Sequence, residues 1–125
     1  MEFTKLIEKA KKDKNIIAVA LYGSSLHGKG RDIDICLFLD KKYPNLSMSK
    51  KRLKFLSHFN YDIQIFQQLP IYIRKRILKG KILYAKDENK LYEIAYDTIK
   101  EFNYFEKHYK TYLEHVKNGQ RKNLK

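Results

Sequence analysis

"LYGSSLHGKGRDIDICLFLD", residues 21–40, runs from the end of one apolar segment into another through a loop holding three glycines. The second segment alternates. Asp32, Asp34, Cys36 and Phe38 fall on one face of a strand, and Ile33, Ile35, Leu37 and Leu39 on the other. Two carboxylates at i and i+2 repel each other unless solvent or a cation lies between them. Oxygen-rich pairs of this kind suit a hard divalent cation, which fills its remaining positions with phosphate oxygens and water.

The residues before the loop are equally informative. "NIIAVALYG", from Asn15, is a continuous apolar run ended by glycine, as expected of a strand covered on both faces. A turn of helix over "SSLHGKG" would present backbone N–H groups and the hydroxyls of Ser24 and Ser25 to a phosphate. Lys29 and Arg31 stand in the same loop, as phosphate contacts or as solvated loop residues. A third carboxylate, Asp62, opens "NYDIQIFQQ", which reads as a strand with Asp62, Gln64 and Phe66 on one face. If that strand neighbours the second, Asp62 lies beside Asp34 and can help activate an attacking hydroxyl.

"YGSSLHGKGRDIDI" resembles the signature of the nucleotidyltransferase superfamily that includes DNA polymerase beta, and in particular its minimal nucleotidyltransferase (MNT) branch. The matching residues are Gly23 and Ser24, then Asp32 and Asp34, with Asp62 as the later acidic residue. The resemblance spans about residues 15–70 and implies an α/β (α+β) fold, a small mixed sheet flanked by helices. It further implies transfer of a nucleoside monophosphate, most simply AMP from ATP, to a hydroxyl on protein or RNA. Asp32, Asp34 and Asp62 would be both catalytic and metal-binding, around two Mg²⁺ ions for which Mn²⁺ can substitute. Gly23, Ser24, Ser25, Lys29 and Arg31 would bind the nucleotide. Two departures from the pattern stand out. Seven residues separate Ser24 from Asp32, fewer than the family usually has, and His27 stands where many members carry arginine.

The rest of the chain supplies a scaffold. Residues 3–13 read as an amphipathic helix. A second helix follows the proline turn at "KKYPN", with Leu53 and Leu56 expected inward. "LPIYIRKRILKG" reads as a short helix between Pro70 and Gly80, and "KILYA" as an edge strand. From Asp87 to about Lys117 a longer helix carries Leu91, Ala95, Thr98, Phe102, Phe105, Tyr109, Tyr112 and Val116 at alternating steps of four and three. Its first half is expected on the sheet and its distal half projecting as an aromatic strip. A bend near Asn103 that folds the helix back is the alternative. The tail "NGQRKNLK" reads as frayed.

Composition bounds the function. The 125 residues suit one domain, with a catalytic core over about residues 15–85 and a helical segment over 87–117. No long apolar run or signal-like segment is present, which points away from the membrane and towards the cytoplasm. Cys36 is expected as a buried, inert thiol. The net charge of +13 favours anionic partners. Three functions fit these features. One is a transferase acting on protein or RNA. Another, implied by the resemblance to MNT proteins, is an antitoxin that adenylylates or binds a HEPN-type protein. The third is a catalytically inactive protein on the same scaffold that binds a HEPN-type partner or RNA. A homodimer through the C-terminal helix is a further expectation.

Overall fold

A computed structural model describes residues 3–23 and 33–123. Eight elements follow in order: α1 (Thr4–Lys12), β1 (Ile16–Tyr22), β2 (Asp34–Leu39), α2 (Asn45–Leu56), β3 (Asp62–Ile65), α3 (Ile71–Ile77), β4 (Lys81–Ala85) and α4 (Glu88–Asn123). The strands form one mixed sheet in the order β3-β2-β1-β4. β1 pairs antiparallel with β2 and β4, while β2 and β3 are parallel, with α2 as the crossover that a parallel pair requires.

Alternation sorts the side chains into two cores. Val19, Ile35, Leu37, Leu39, Ile63 and Ile65 pack with Leu6 and Ala10 of α1 and with Met48 and Phe55 of α2. On the opposite face Ala18, Ala20, Cys36 and Phe38 pack with Phe66, with Ile77 of α3 and with Leu91 of α4. A register shift between Ile16 and Ala18 breaks the alternation in β1, and Ile17 joins Ala18 in the second core. The buried Cys36 thiol is pushed well above its ordinary value by desolvation, as an inert core thiol should be.

Three expectations are corrected. Leu53 is 62% exposed, and α2 instead buries Met48 and Phe55, with Leu56 partly covered. Apolar residues surround this helix, so periodicity alone cannot fix its phase. The stacking of Phe55 on Phe59, and of Phe59 on Tyr61, fills the space beside the first core instead. The third strand is shorter than read. It gives way at Phe66 to a 3₁₀ turn through Gln68, where Phe66 stacks on Phe38 at 4.4 Å. Gln67 then bonds both the N–H and the C=O of Leu39, at 3.1 and 2.8 Å, and so continues the ladder beyond β3 with a side chain.

The third correction concerns α4. It runs unbroken for 36 residues, about 54 Å at 1.5 Å per residue, with no fold-back at Asn103 and with the expected frayed tail helical through Asn123. Its first half is held down by buried Leu91 and Thr98, by a two-pronged Arg74–Glu101 ion pair, and by Lys75 over the Phe102 ring. Beyond Phe102 the stripe continues into solvent, with Phe105, Tyr109 and Tyr112 exposed as expected. Among the described residues no helix is long and apolar enough to cross a membrane.

Candidate active site

β1 ends, and β2 and β3 begin, at the same end of the sheet. Tyr22 of β1 lies opposite Asp34 of β2, and Asp34 lies opposite Asp62 of β3. Register partners on neighbouring strands share a face, so Asp34 and Asp62 stand side by side on backbones about 4.8 Å apart. The alignment is fixed by the Asp62 N–H, which donates to the Ile33 carbonyl at 2.8 Å. Asp34 is half-buried and Asp62 exposed, with the Gln64 amide donating to Asp62 Oδ1 at 3.3 Å. The site is therefore the polar end of a sheet face whose core lies further along β1 and β2, with Gln64 between site and core on β3.

Gly23 closes the site from the β1 side. Its φ of +70° lies in the left-handed region, and a Cβ there would come within 2.6 Å of Asp34 Oδ2. The sequence needs glycine here twice over, for the turn and for the space around the carboxylate. The Asp34 carboxylate therefore packs directly against a bare backbone, a contact that any side chain at residue 23 would disrupt. Among the described residues no group of three metal-ligating side chains forms. The structure brings together Gly23, Asp34 and Asp62. Ser24, Ser25, His27, Lys29, Arg31 and Asp32 lie outside the described residues.

Two residues at the site were not singled out in the sequence. The Tyr22 hydroxyl is raised well beyond the usual phenol range, first by burial and then by the negative charges of Cys36, Asp34 and Asp62, with Arg52 opposing. It stays a protonated phenol in the field of both carboxylates. Arg52 reaches from α2 to the open edge of β3, where its Nε donates to the Ile63 carbonyl at 2.6 Å. A signal for Tyr22 was present, since it is in phase with Ala18 and Ala20 and directly precedes Gly23. Arg52 carried no such signal, because its place depends on how α2 packs.

Residues 4–89 match the family described as polymerase beta, nucleotidyltransferase. The chain belongs to this family. A protein of Methanocaldococcus jannaschii, named "Putative protein adenylyltransferase", is 36% identical over 84 residues, which are 65% of this chain and 65% of that protein. The chain thus matches somewhat less than two thirds of that relative's length. Among solved structures, a toxin–antitoxin with AMP-PNP contains a chain of similar fold, at TM-score 0.71 and 17% identity, covering 93% of this chain and 98% of that one. A complex of tri-AMPylated Shewanella oneidensis HEPN toxin with MNT antitoxin gives TM-score 0.64 at 17% identity, covering 90% and 93%. At these identities the likeness is one of fold. Family and fold agree with the resemblance drawn from residues 22–35.

Proposed function

We propose that this chain is an MNT-type adenylyltransferase, moving AMP from ATP to a hydroxyl on a partner protein of the HEPN type. The observation that carries the reading is the in-register pair Asp34 and Asp62 beside Gly23, whose missing side chain leaves room at Asp34 Oδ2. Such a donor set fits Mg²⁺, held by Asp34 and Asp62 and, from its place two residues before Asp34, Asp32. When bound, the metal supplies positive charge that neutralises the phosphates.

The chain's own residues do the rest. Gly23, Ser24 and Ser25 bind the nucleotide's phosphates, with Lys29 and Arg31 adding charge. Asp62, exposed on the outer strand, takes the proton of the acceptor's hydroxyl. The acceptor oxygen bonds to the α-phosphorus as the bond to the bridging oxygen breaks, and pyrophosphate leaves towards the Gly23 turn. Tyr22 keeps its proton and lines the carboxylates without competing for the metal.

The named relative and the solved antitoxin complexes support AMP as the group and a HEPN protein as the acceptor. The test is transfer of α-labelled ATP to a co-expressed HEPN-type protein in the presence of Mg²⁺ or Mn²⁺. Label on the HEPN protein that disappears with Asp34→Asn supports the reading. Unlabelled HEPN protein bound tightly by a chain that takes up neither metal nor ATP would replace it with a binding role.

A further inference from the structure

The end of the sheet opposite the carboxylates is strongly basic. About 17 Å of β2 separates Asp34 from Leu39 at roughly 3.3 Å per residue. Around Leu39 and Asn15 two adjoining clefts open between α1 and α2, the larger of 540 Å³. They share Asp13, Asn15 and Lys54. Five lysines line them without a carboxylate partner among the described residues: Lys9, Lys12, Lys14, Lys50 and Lys54. Asp13, their one acidic lining residue, is already paired with Lys51.

The chemistry of the lining narrows the partner. Its apolar members, Leu39, Met48 and Phe55, are fully or almost fully buried, so the clefts offer no anchor of the kind that dominates protein–protein interfaces. The lining holds no arginine for bidentate base reading. Tyr43, its one tyrosine, is only half exposed and donates its hydroxyl to Asp40 at 2.7 Å. What remains is a row of flexible point charges, which read phosphates and not bases.

We propose that these clefts bind the phosphate backbone of a nucleic-acid duplex, independently of base sequence and of the transfer site. Five neutralised phosphates at about 0.9 each give a slope of about −4.5 for log affinity against log salt. The partner thereby accounts for a cluster of five lysines, without carboxylate partners among the described residues, at a pole that the transfer chemistry does not use.

The test is fluorescence anisotropy of the full chain with labelled RNA and DNA duplexes of one sequence, and with labelled polyglutamate, at rising KCl. Binding of either duplex with a slope of about −4.5 supports the proposal, and the tighter duplex identifies the natural source. Lys12→Gln/Lys50→Gln/Lys54→Gln should weaken binding about tenfold or more and flatten the slope by about 3. A control of equal net charge, Lys100→Gln/Lys107→Gln/Lys117→Gln on α4, should leave affinity within about twofold. Lys50→Gln alone, at an exposed position, should flatten the slope by about 1 with unchanged melting. An equal loss in the control would overturn the proposal, as would polyglutamate bound as tightly as either duplex.

Discussion

The two faces of the sheet are made by the same strands, yet only one carries the clustered carboxylates. Towards α1 and α2 the inward positions stay apolar along the strands, from Ile35 to Leu39 and from Ile63 to Ile65. Towards α3 and α4 the same alternation runs through Phe38 and Cys36, then ends in Asp34, Asp62 and Tyr22. One face is core throughout, and the other turns polar at its end, with Gln64 beside Cys36 and Asp62 beside Asp34.

Asp34→Asn tests that division most severely. If the last row serves chemistry, transfer should fall by about three orders of magnitude, the several kcal/mol expected of a lost metal ligand. Melting without metal should not fall, because one of two repelling charges is gone. Asp62→Asn should also remove turnover while ATP binding stays measurable by titration. Leu37→Ala, on the other face, should lose about 2–5 kcal/mol in urea denaturation. An unfolded Asp34→Asn beside an unaffected Leu37→Ala would invert the comparison.

Gly23→Ala probes the boundary between the faces. The left-handed φ and the close approach to Asp34 Oδ2 together should cost about 1–3 kcal/mol. The new methyl must push the carboxylate aside, so Mn²⁺ affinity in a calorimetric titration should fall as well. Lost stability with unchanged metal affinity would mean that Asp34 does not bind metal through that oxygen.

Most of this arrangement was legible in the residues. Period-two alternation assigned Ile33, Ile35 and Ile63 to one face and Asp34, Cys36 and Asp62 to the other, since a strand has only two faces to choose between. The pairing of Asp34 with Asp62 was conditional, because neighbouring strands cannot be read from one segment. α2 resisted for a different reason. Leu46, Met48, Leu53, Phe55 and Leu56 surround the helix, so only tertiary packing chose Met48 and Phe55 over Leu53. The Gln67 link to Leu39 was equally invisible, being a side chain that takes the place of a strand.

High pH offers a smaller test of the same face. Cys36 and Tyr22 both have raised values in the folded chain, so each keeps its proton there after the unfolded chain has lost its own. Their contribution is complete below the ordinary values of 9.0 and 10.0 and declines above them. Each group fully out of step costs about 1.4 kcal/mol per pH unit. Melting temperature should thus begin to fall near pH 9, and Cys36→Ala should delay the fall to about pH 10. An unchanged onset in Cys36→Ala would mean the thiol is not buried.

The smallest effect on the isolated chain is expected where α4 leaves the second face. Leu91 and Thr98 are buried and Phe102 partly covered, and the same alternating steps continue through the exposed Phe105, Tyr109 and Tyr112 to half-exposed Val116. Phe105 and Tyr109 stack on each other at 5.7 Å, so their main neighbour is their own helix. Aromatic side chains at core spacing without a core are what a partner interface presents. Phe105→Glu/Tyr109→Glu/Tyr112→Glu should therefore change stability by about 0.5 kcal/mol or less per site. The same variant should lose self-association, or binding to a HEPN-type protein, in size-exclusion chromatography with light scattering. Leu91→Ala, one stripe position that the domain does cover, should instead lower the melting temperature and spare the partner. If the triple variant unfolds, the distal stripe is core after all, and the division between a covered and a projecting half of α4 fails with it.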